Sequence, residues 1–426
     1  MRIIHAADIH GGLPRYAVQV SGPNGNSRVD EFEHVLDKLA SHAINLEADV
    51  VLIAGDTFDN RSPSVTLLRI FTAFLARVAT RGILIKIIPG NHDGASVIGD
   101  ELTHTLYWLK ALHREGVTVH TRPTIEHVDT RGGTSRMVLV AFPYPHRRAF
   151  TGHGLVDARS PEEQVIEGGR KMEALVARYA VEARKMAVDA GDIPVVFMGH
   201  LTALGSRLSS EHLMRMEWDV AIPLEVLEAF DYAALGHIHK MQGLGPRQMT
   251  ERASQNASIY ADGDRRVWYP GSPIFSDFSE AGDERKGFLL VDIDTRTHEV
   301  LVRPLSSEPR RMSRIKLAYH PLMASAALSD LDVLDGQMVS LTITGDERPP
   351  DSWVVGVERA IRTAGAHFLK TTFVIEDQTV PRELRKEDPT LDLMNKEAAL
   401  RHFLAANQLP DEPFLTAGRV LIEAHQ

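Results

Sequence analysis

Five short segments carry the side chains that bind divalent cations or move protons: Asp8-Ile9-His10, Gly55-Asp56-Thr57-Phe58-Asp59, Gly90-Asn91-His92-Asp93, Gly199-His200 and Gly236-His237-Ile238-His239. In the first and last, residues of ligand type stand two apart, so an extended backbone turns both side chains to one face. Glycine precedes the ligand type in four of the five, where a chain leaving a strand must turn sharply. Taken singly each segment is weak evidence. An Asp-X-His is usually a surface turn, and Asn91-His92-Asp93 reads equally well as a turn with an Asx cap. Their joint occurrence, each behind its own apolar run, points to one site. The sequence has no cysteine, which excludes disulfides, thiolate metal sites, iron–sulfur clusters and a cysteine nucleophile. A metal would be held by oxygen and imidazole nitrogen, a set that suits Mn, Fe or Zn better than Ca.

Positioning such groups requires elements that end where the segments begin. Residues 3–7, 50–54, 83–88, 195–198 and 232–235 are apolar runs too short for buried helices, and each reads as a buried strand. Between them Phe32, Val35, Leu36, Leu39, Ala43 and Leu46 recur at helical spacing, with Ser27 or Asp30 as N-cap. Ser62-Pro63 opens a second helix whose apolar face is Leu67, Ile70, Phe71, Phe74 and Val78. Ser160-Pro161-Glu162-Glu163 is a capping box before a long helix running towards Ala190. Arg131-Gly132-Gly133, Asp262-Gly263-Asp264 and Asp294-Thr295-Arg296 are hairpin signals. This alternation predicts an α/β layered fold, with polar residues just past the strand ends, where open α/β sheets place their sites.

A chain of 426 residues is long enough for about three folded units. Its 43% hydrophobic and 24% charged residues lie near the globular average and argue against a mainly disordered chain. No apolar run approaches the ~18 residues of a bilayer span, and the start lacks the apolar stretch of a signal peptide, so the expectation is a soluble, cytoplasmic protein that does not contact membrane. The formal net charge of −10 excludes a uniformly basic nucleic-acid coat and leaves room for local basic patches. The expected plan is a first domain over residues 1–304, then a small α+β domain over 311–377 with strands near 315–318, 339–343 and 368–375 and a helix near 352–364. A charged, proline-containing linker follows over 378–390, then C-terminal amphipathic helices over 391–426.

In order, the five segments read D-x-H, G-D-x-x-D, G-N-H-D, G-H and G-H-x-H, and in this the sequence resembles the calcineurin-like metallophosphoesterase superfamily. The opening RIIHAADIH, the stretch GDTFDNRSPS, and Tyr269-Pro270-Gly271-Ser272-Pro273-Ile274 followed by Phe278-Ser279-Glu280 are similar to its SbcD-type nuclease branch. The likeness is strong to about residue 300 and lies in the overall plan beyond it. It implies a β-sandwich flanked by helices, with a capping, DNA-binding role for residues 311–377 and an ATPase-docking role for the C-terminal helices.

Two divalent ions held close together can activate a water, bind phosphate oxygens and stabilise both the attacking and the leaving oxygen of an in-line displacement. The resemblance implies that Asp8, His10, Asp56 and His239 hold one ion and that Asp56, Asn91, His200 and His237 hold the other, with Asp56 as the bridge and Mn as the metal. It implies that His92 contacts the scissile phosphate and stabilises or protonates the leaving oxygen. Asp93 is expected to support His92, and Asp59 to tune this shell rather than to bind metal. Ser272 either lines the site or shapes a turn.

The activity so implied is metal-dependent DNA exo- and endonucleolytic cleavage in DNA repair and recombination, with an SbcC-type coiled-coil ATPase as partner. The alternative is a stand-alone phosphoesterase acting on nucleotides, cyclic nucleotides or phosphoproteins. His146-Arg147-Arg148, Arg265-Arg266 and Arg310-Arg311 could bind DNA phosphates or be solvated surface charge. A homodimer is a further expectation of the resemblance, although the apolar helix faces near residues 30–80 fit burial within one chain equally well.

Overall fold

Strands form where the apolar runs predict them, and they assemble into two six-stranded sheets. The computed structural model describes residues 1–375 except 21–22, 95, 99–100, 104, 112–113, 131–132, 134–135, 146–159, 210–219, 247–264, 284, 320–333 and 346. The chain divides into two compact units. The larger comprises residues 1–315, 328–341 and 356–370, and the smaller 316–327, 342–355 and 371–426.

The first sheet contains β1 (Arg2–Ala6), β2 (Val50–Ala54), β3 (Leu84–Ile88) and β4 (Val117–Val119), which run parallel. The second contains β5 (Thr124–Asp129), β6 (Arg136–Phe142), β7 (Val195–His200), β8 (Tyr232–Gly236), β9 (Gln242–Leu244) and β10 (Val267–Tyr269). The antiparallel strands β11 (Gly287–Ile293) and β12 (Val300–Ser306) complete the first sheet, whose order is β12-β11-β1-β2-β3-β4. The second sheet has the order β9-β10-β8-β7-β6-β5, with β6, β7, β8 and β10 parallel. Register brings the site-bearing ends level: Ala54 lies beside Ile88, and Gly236 beside His200.

Because successive strand residues face opposite ways, each sheet feeds two cores. Ile3, Val50, Leu52 and Leu289 of the first sheet meet Leu139, Val196, Met198 and Trp268 of the second in the interior of the sandwich. On the outer face of the first sheet lie α1 (Ser27–Asn45) and α2 (Val65–Ala79), burying Phe32, Val35, Leu36, Leu39, Ile70, Phe71 and Phe74. After the short α3 (Tyr107–Ala111), the long α4 (Pro161–Asp189) packs Met172, Val176, Ala183 and Ala187 against the second sheet. The result is a helix–sheet–sheet–helix sandwich. Each fully buried Ile, Leu or Phe contributes roughly 1.5–3 kcal/mol, so the strands are anchored well enough to hold polar loops at their ends.

Two caps differ from the sequence expectation. Asn26 caps α1, its side chain accepting from the backbone N–H of Arg28, while the Ser27 hydroxyl turns inward to accept from Val18 N–H. Ser64 caps α2, accepting from Leu67 N–H, and Pro63 stands ahead of the cap. Ser160 and Glu163 form the expected capping box. Pro304 lies inside β12 opposite Leu289, on a sheet edge where its missing N–H is tolerated. Of the three hairpin signals, the first joins the paired strands β5 and β6, the third joins β11 and β12, and Asp262-Gly263-Asp264 lies outside the described residues.

Beyond the sandwich, β13 (Met312–Ala318), β14 (Met338–Gly345) and β15 (His367–Ile375) form a three-stranded sheet, with α6 (Asp351–Thr363) between the last two in sequence; α5 (Leu224–Leu227) is a single turn before β8. In the smaller unit Tyr319 meets Trp353 edge-on at 5.1 Å between ring centres, and the Arg348 guanidinium lies 4.8 Å from the Phe373 ring centre. The linker and C-terminal helices expected over 378–426 lie outside the described residues. Among the described residues no helix is long and apolar enough to cross a membrane.

Candidate metal centre

β1, β2 and β3 deliver Asp8, His10, Asp56, Asn91 and His92 from one sheet, and β7 and β8 deliver His200, His237 and His239 from the other. Non-glycine residues with left-handed backbone concentrate here: φ is 52° at Asp8, 51° at His10, 49° at Asp56 and 98° at His237. Such conformations persist only where the surroundings over-determine them. Neighbouring hydrogen bonds do so. Asp8 N–H donates to Gly55 O and His10 N–H to Asp56 O, at 3.1 and 3.0 Å. Two glycines make the approach possible: a Cβ on Gly55 would stand 2.1 Å from His200 Nδ1, and one on Gly90 would stand 2.1 Å from Asp56 Oδ1.

Ligand-type atoms converge in three overlapping groups, Asp8 with His10 and His239, Asp8 with Asp56 and His200, and His10 with Asp59 and His92, each within 4.8 Å. The Asp8 carboxylate also accepts from His237 N–H at 2.9 and 3.0 Å. Asn91 Oδ1 lies 2.9 Å from His200 Nε2 and 3.0 Å from His237 Nδ1, so it gathers both rings. Asp56 Oδ2 lies 3.3 Å from His200 Nε2 and 3.9 Å from His10 Nε2, between the first two groups. Its Oδ1 accepts from His92 N–H at 2.7 Å.

The donor set fits divalent cations on its own chemistry. His200 Nδ1 is 2.8 Å from Ala54 O and donates to it, which leaves the Nε2 lone pair facing Asn91 and Asp56. His239 Nδ1 is 3.2 Å from the buried Glu280 carboxylate, and its Nε2 faces His10 Nε2 at 3.0 Å. Two imidazole lone pairs that close repel unless a proton or a metal ion lies between them. The charge balance agrees. Burial pushes the Asp56 carboxyl up, but His200, His92 and His10 outweigh it and hold it below the usual range. Burial lowers the His200 imidazole, but Asp56 and Asp8 outweigh it and raise the ring to about 9. Asp56 thus demands a positive charge beside it, which a proton on His200 or a divalent cation supplies. Burial lowers the His10 imidazole, with Asp59 opposing and the neighbouring His239 and His92 adding to the fall.

The structure separates Asp93 from the role expected of it. Its carboxylate is fully buried and accepts from the backbone N–H of Gly90, Phe58 and Thr57 at 2.9, 3.0 and 3.3 Å, so it ties the second and third segments together. Burial and the charge of Asp56 push it up to about 7, against the pull of those three donors. The carboxylate beside His92 is that of Asp59, whose Oδ1 is 3.7 Å from His92 Nδ1 and 3.3 Å from His10 Nδ1. His92 is the open member of the group, with 27% of its side chain exposed, and its ring stands perpendicular to His10 at 4.8 Å. Ser272 N–H donates to His239 O, and its hydroxyl accepts from Ile274 N–H.

Three residues adjoin the site without a sequence signal for it. Glu280 stands in the sequence only as the end of Phe278-Ser279-Glu280, Lys286 lies one residue before β11, and Tyr144 brings its ring within 5.9 Å of His237 and 6.0 Å of His200. Arg265 donates to Gly243 O, Arg310 N–H donates to Glu31, and His146-Arg147-Arg148 lies outside the described residues.

Residues 1–241 match the family model described as calcineurin-like phosphoesterase. Among curated proteins, the SbcD component of the SbcCD nuclease of Escherichia coli is 25% identical over 295 residues, covering 67% of this chain and 63% of that protein. The chain therefore spans less than two thirds of that relative's length. The proteins of the same name from Rhodobacter capsulatus and Bacillus subtilis are 27% and 26% identical, covering 91% and 90% of this chain and 92% and 88% of their own.

Proposed function

The chain belongs to the calcineurin-like phosphoesterase family, and from that premise we propose that it is a metal-dependent DNA phosphodiesterase, the nuclease component of an SbcCD-like repair complex with an SbcC-type coiled-coil ATPase. The observation that carries this reading is the convergence of seven oxygen and imidazole donors from the ends of strands in two facing sheets. Asp8, His10, Asp56 and His239 would hold one divalent ion, and Asp56, Asn91, His200 and His237 a second; the donor set suits Mn, Fe or Zn, and the family resemblance favours Mn among them. Ions held there would supply an activated water and neutralise charge on the phosphate oxygens.

The protein's own groups do the rest. Asp56 joins the two halves because its Oδ2 lies within reach of rings from both. Asn91 aligns His200 and His237, and Asp8 fixes the His237 backbone. His92 faces outward, where it would meet the scissile phosphate and hold or donate the proton that the leaving oxygen needs. Asp59 keeps the Nδ1 edge of His92 directed inward, aided by its own carbonyl 3.2 Å away.

The likeness to proteins named as nuclease components extends over about nine tenths of two of them, which favours DNA over a small phosphoester as substrate. Within this reading residues 1–304 are the nuclease domain, 311–377 a capping domain that contacts DNA, 378–390 a linker, and 391–426 the ATPase-docking helices. Turnover of linear DNA, a cyclic nucleotide and a generic phosphodiester, each with and without Mn, tests it. Metal-dependent cleavage of DNA well above the other two is the expected result. Preference for the cyclic nucleotide would turn the assignment to a stand-alone phosphoesterase.

A further inference from the structure

Glu280 and Lys286 are buried together beside the metal centre, with 0% and 2% of their side chains exposed. A buried ion pair is weak evidence for stability by itself, since an apolar pair often serves as well. This pair is committed elsewhere. Glu280 Oε1 is 3.2 Å from His239 Nδ1, while Oε2 accepts from Lys286 Nζ at 2.7 Å and from Ser276 N–H at 3.0 Å. Lys286 Nζ also donates to His239 O at 3.2 Å. His239 is thus gripped at its ring and at its backbone by the same pair.

The segment that carries Glu280 is itself pinned. Arg28 Nη2 donates to Phe275 O at 3.0 Å, and the Asp277 carboxylate accepts from Tyr16 Oη at 2.9 Å and from Arg15 at 3.0 Å. Asp277 in turn caps the short turn Phe278–Glu280. On the other side of the centre, His200 is oriented by a neutral carbonyl, that of Ala54. A carboxylate behind an imidazole makes the far nitrogen a better donor than a carbonyl does.

We propose that Glu280 and Lys286 are a positioning pair that fixes His239 with Nε2 as its metal-donating atom, and that they set the affinity of the Asp8, His10 and His239 site apart from that of the site around His200. The proposal rests on the two-metal reading and adds to it an inequality between the two sites. Glu280 acts through His239 and touches no reacting atom. Lys286 holds the Glu280 carboxylate in place through Oε2, so that Oε1 stays aimed at His239.

Calorimetric titration of manganese(II) chloride into the metal-stripped full chain tests this. The wild type should show two binding events. Glu280→Gln, which keeps shape and an acceptor oxygen but removes the charge, should weaken one of them by roughly 10- to 100-fold and leave the other within about twofold. Two unchanged events, or two weakened alike, would overturn the proposal, because a general structural role does not single out one site. A second measurement needs no variant: nitrogen-15 NMR of the metal-free wild type should find His239 Nδ1 protonated, and a bare Nδ1 would overturn the orientation. Absence of manganese binding by the wild type would instead defeat the two-metal reading, while the NMR result would still decide the orientation of His239.

Discussion

The Nε2 atoms of His10 and His239 stand 3.0 Å apart, each on a ring whose Nδ1 is turned toward a carboxylate, Asp59 for His10 and Glu280 for His239. With both outer nitrogens facing carboxylates, the inner nitrogens face each other. A cation between them removes the repulsion, so metal should be a folding ligand as well as a catalytic one. Chelator-treated protein should melt lower than protein with Mn, and a metal held at ~100 times its dissociation constant adds about 3 kcal/mol. Superimposable melting curves in chelator and in Mn would remove the centre from the stability of the fold.

Asp56 is the residue whose loss should disturb both halves of the site at once. Asp56→Asn keeps an oxygen to accept from His92 N–H but removes the anion that faces His200 and His10. Substitutions behind a metal ligand weaken metal affinity by ~10- to 100-fold, and removal of the shared carboxylate should exceed that and abolish cleavage. Metal analysis of the variant alongside its activity checks this. Two tightly held ions with normal cutting would end the bridging assignment.

What the sequence makes legible, and what it hides, follows from how each residue is held. Asp8, His10, Asp56, Asn91, His200, His237 and His239 are readable because each sits within four residues of an apolar strand end, and two facing sheets leave only one place for those ends to meet. Adjacency suggests that Asp93 serves His92, but neighbouring residues of a tight turn point apart, and Asp93 is drawn inward by three backbone donors. Asp59 takes the place beside His92 because the second segment folds back on the first, with Asp59 N–H bonded to Gly11 O. Glu280 and Lys286 leave no periodic trace, since a lone acid and a lone base in a loop look like solvated surface. The helix caps shift along the chain because Asn26, Ser27 and Asp30, like Ser62 and Ser64, offer several capping side chains in close succession.

Away from the centre, Glu126 gives a pH signature. Its carboxylate lies 2.8 Å from Lys86 Nζ and 3.0 Å from His120 Nε2. Burial pushes its pKa up, but His120 and Lys86 outweigh that and hold it below the ordinary 4.5. A depressed folded value means that the stabilisation is complete above the unfolded pKa and is lost as pH falls through the folded one. Glu126→Gln should therefore be destabilised at neutral pH, by no more than about 1 kcal/mol for a partly exposed pair. That gap to the wild type should narrow as pH falls below the unfolded glutamate value of about 4.3 and towards the lower folded one. Denaturant midpoints of both proteins between pH 7 and pH 3 measure it, and a gap that stays constant across the range would refute the linkage.

Residues 388–426 bear the proposed docking of the ATPase. Leu391, Met394, Leu400, Phe403 and Leu404 supply an apolar surface of the kind that helix-in-groove recognition uses, on a segment outside the described residues. Deleting 388–426 should abolish co-purification with an SbcC-type partner and leave metal-dependent cleavage of single-stranded DNA in place. A truncated chain that no longer folds would instead assign those apolar side chains to its own core.

His92 offers the cleanest separation of chemistry from metal binding. Its ring is partly exposed while Asp8, His10, Asp56 and His200 are buried, and its backbone N–H, rather than its ring, contacts Asp56. A ring so placed can reach a substrate phosphate without serving as a ligand. If it stabilises or protonates the departing oxygen, His92→Gln should retain both ions and bind DNA normally, yet turn over ~10² to 10⁴ times more slowly, the range for losing a positioned acid. The acid-requiring limb of the pH–rate profile should vanish in the variant. Asp59→Asn should act in the same direction more weakly, because it loosens the His92 ring without removing it. Single-turnover cleavage, DNA binding and metal content measured on one preparation decide the matter. Full activity in His92→Gln would take the residue out of the reaction, and loss of bound metal would make it a support for Asp56 and Asn91.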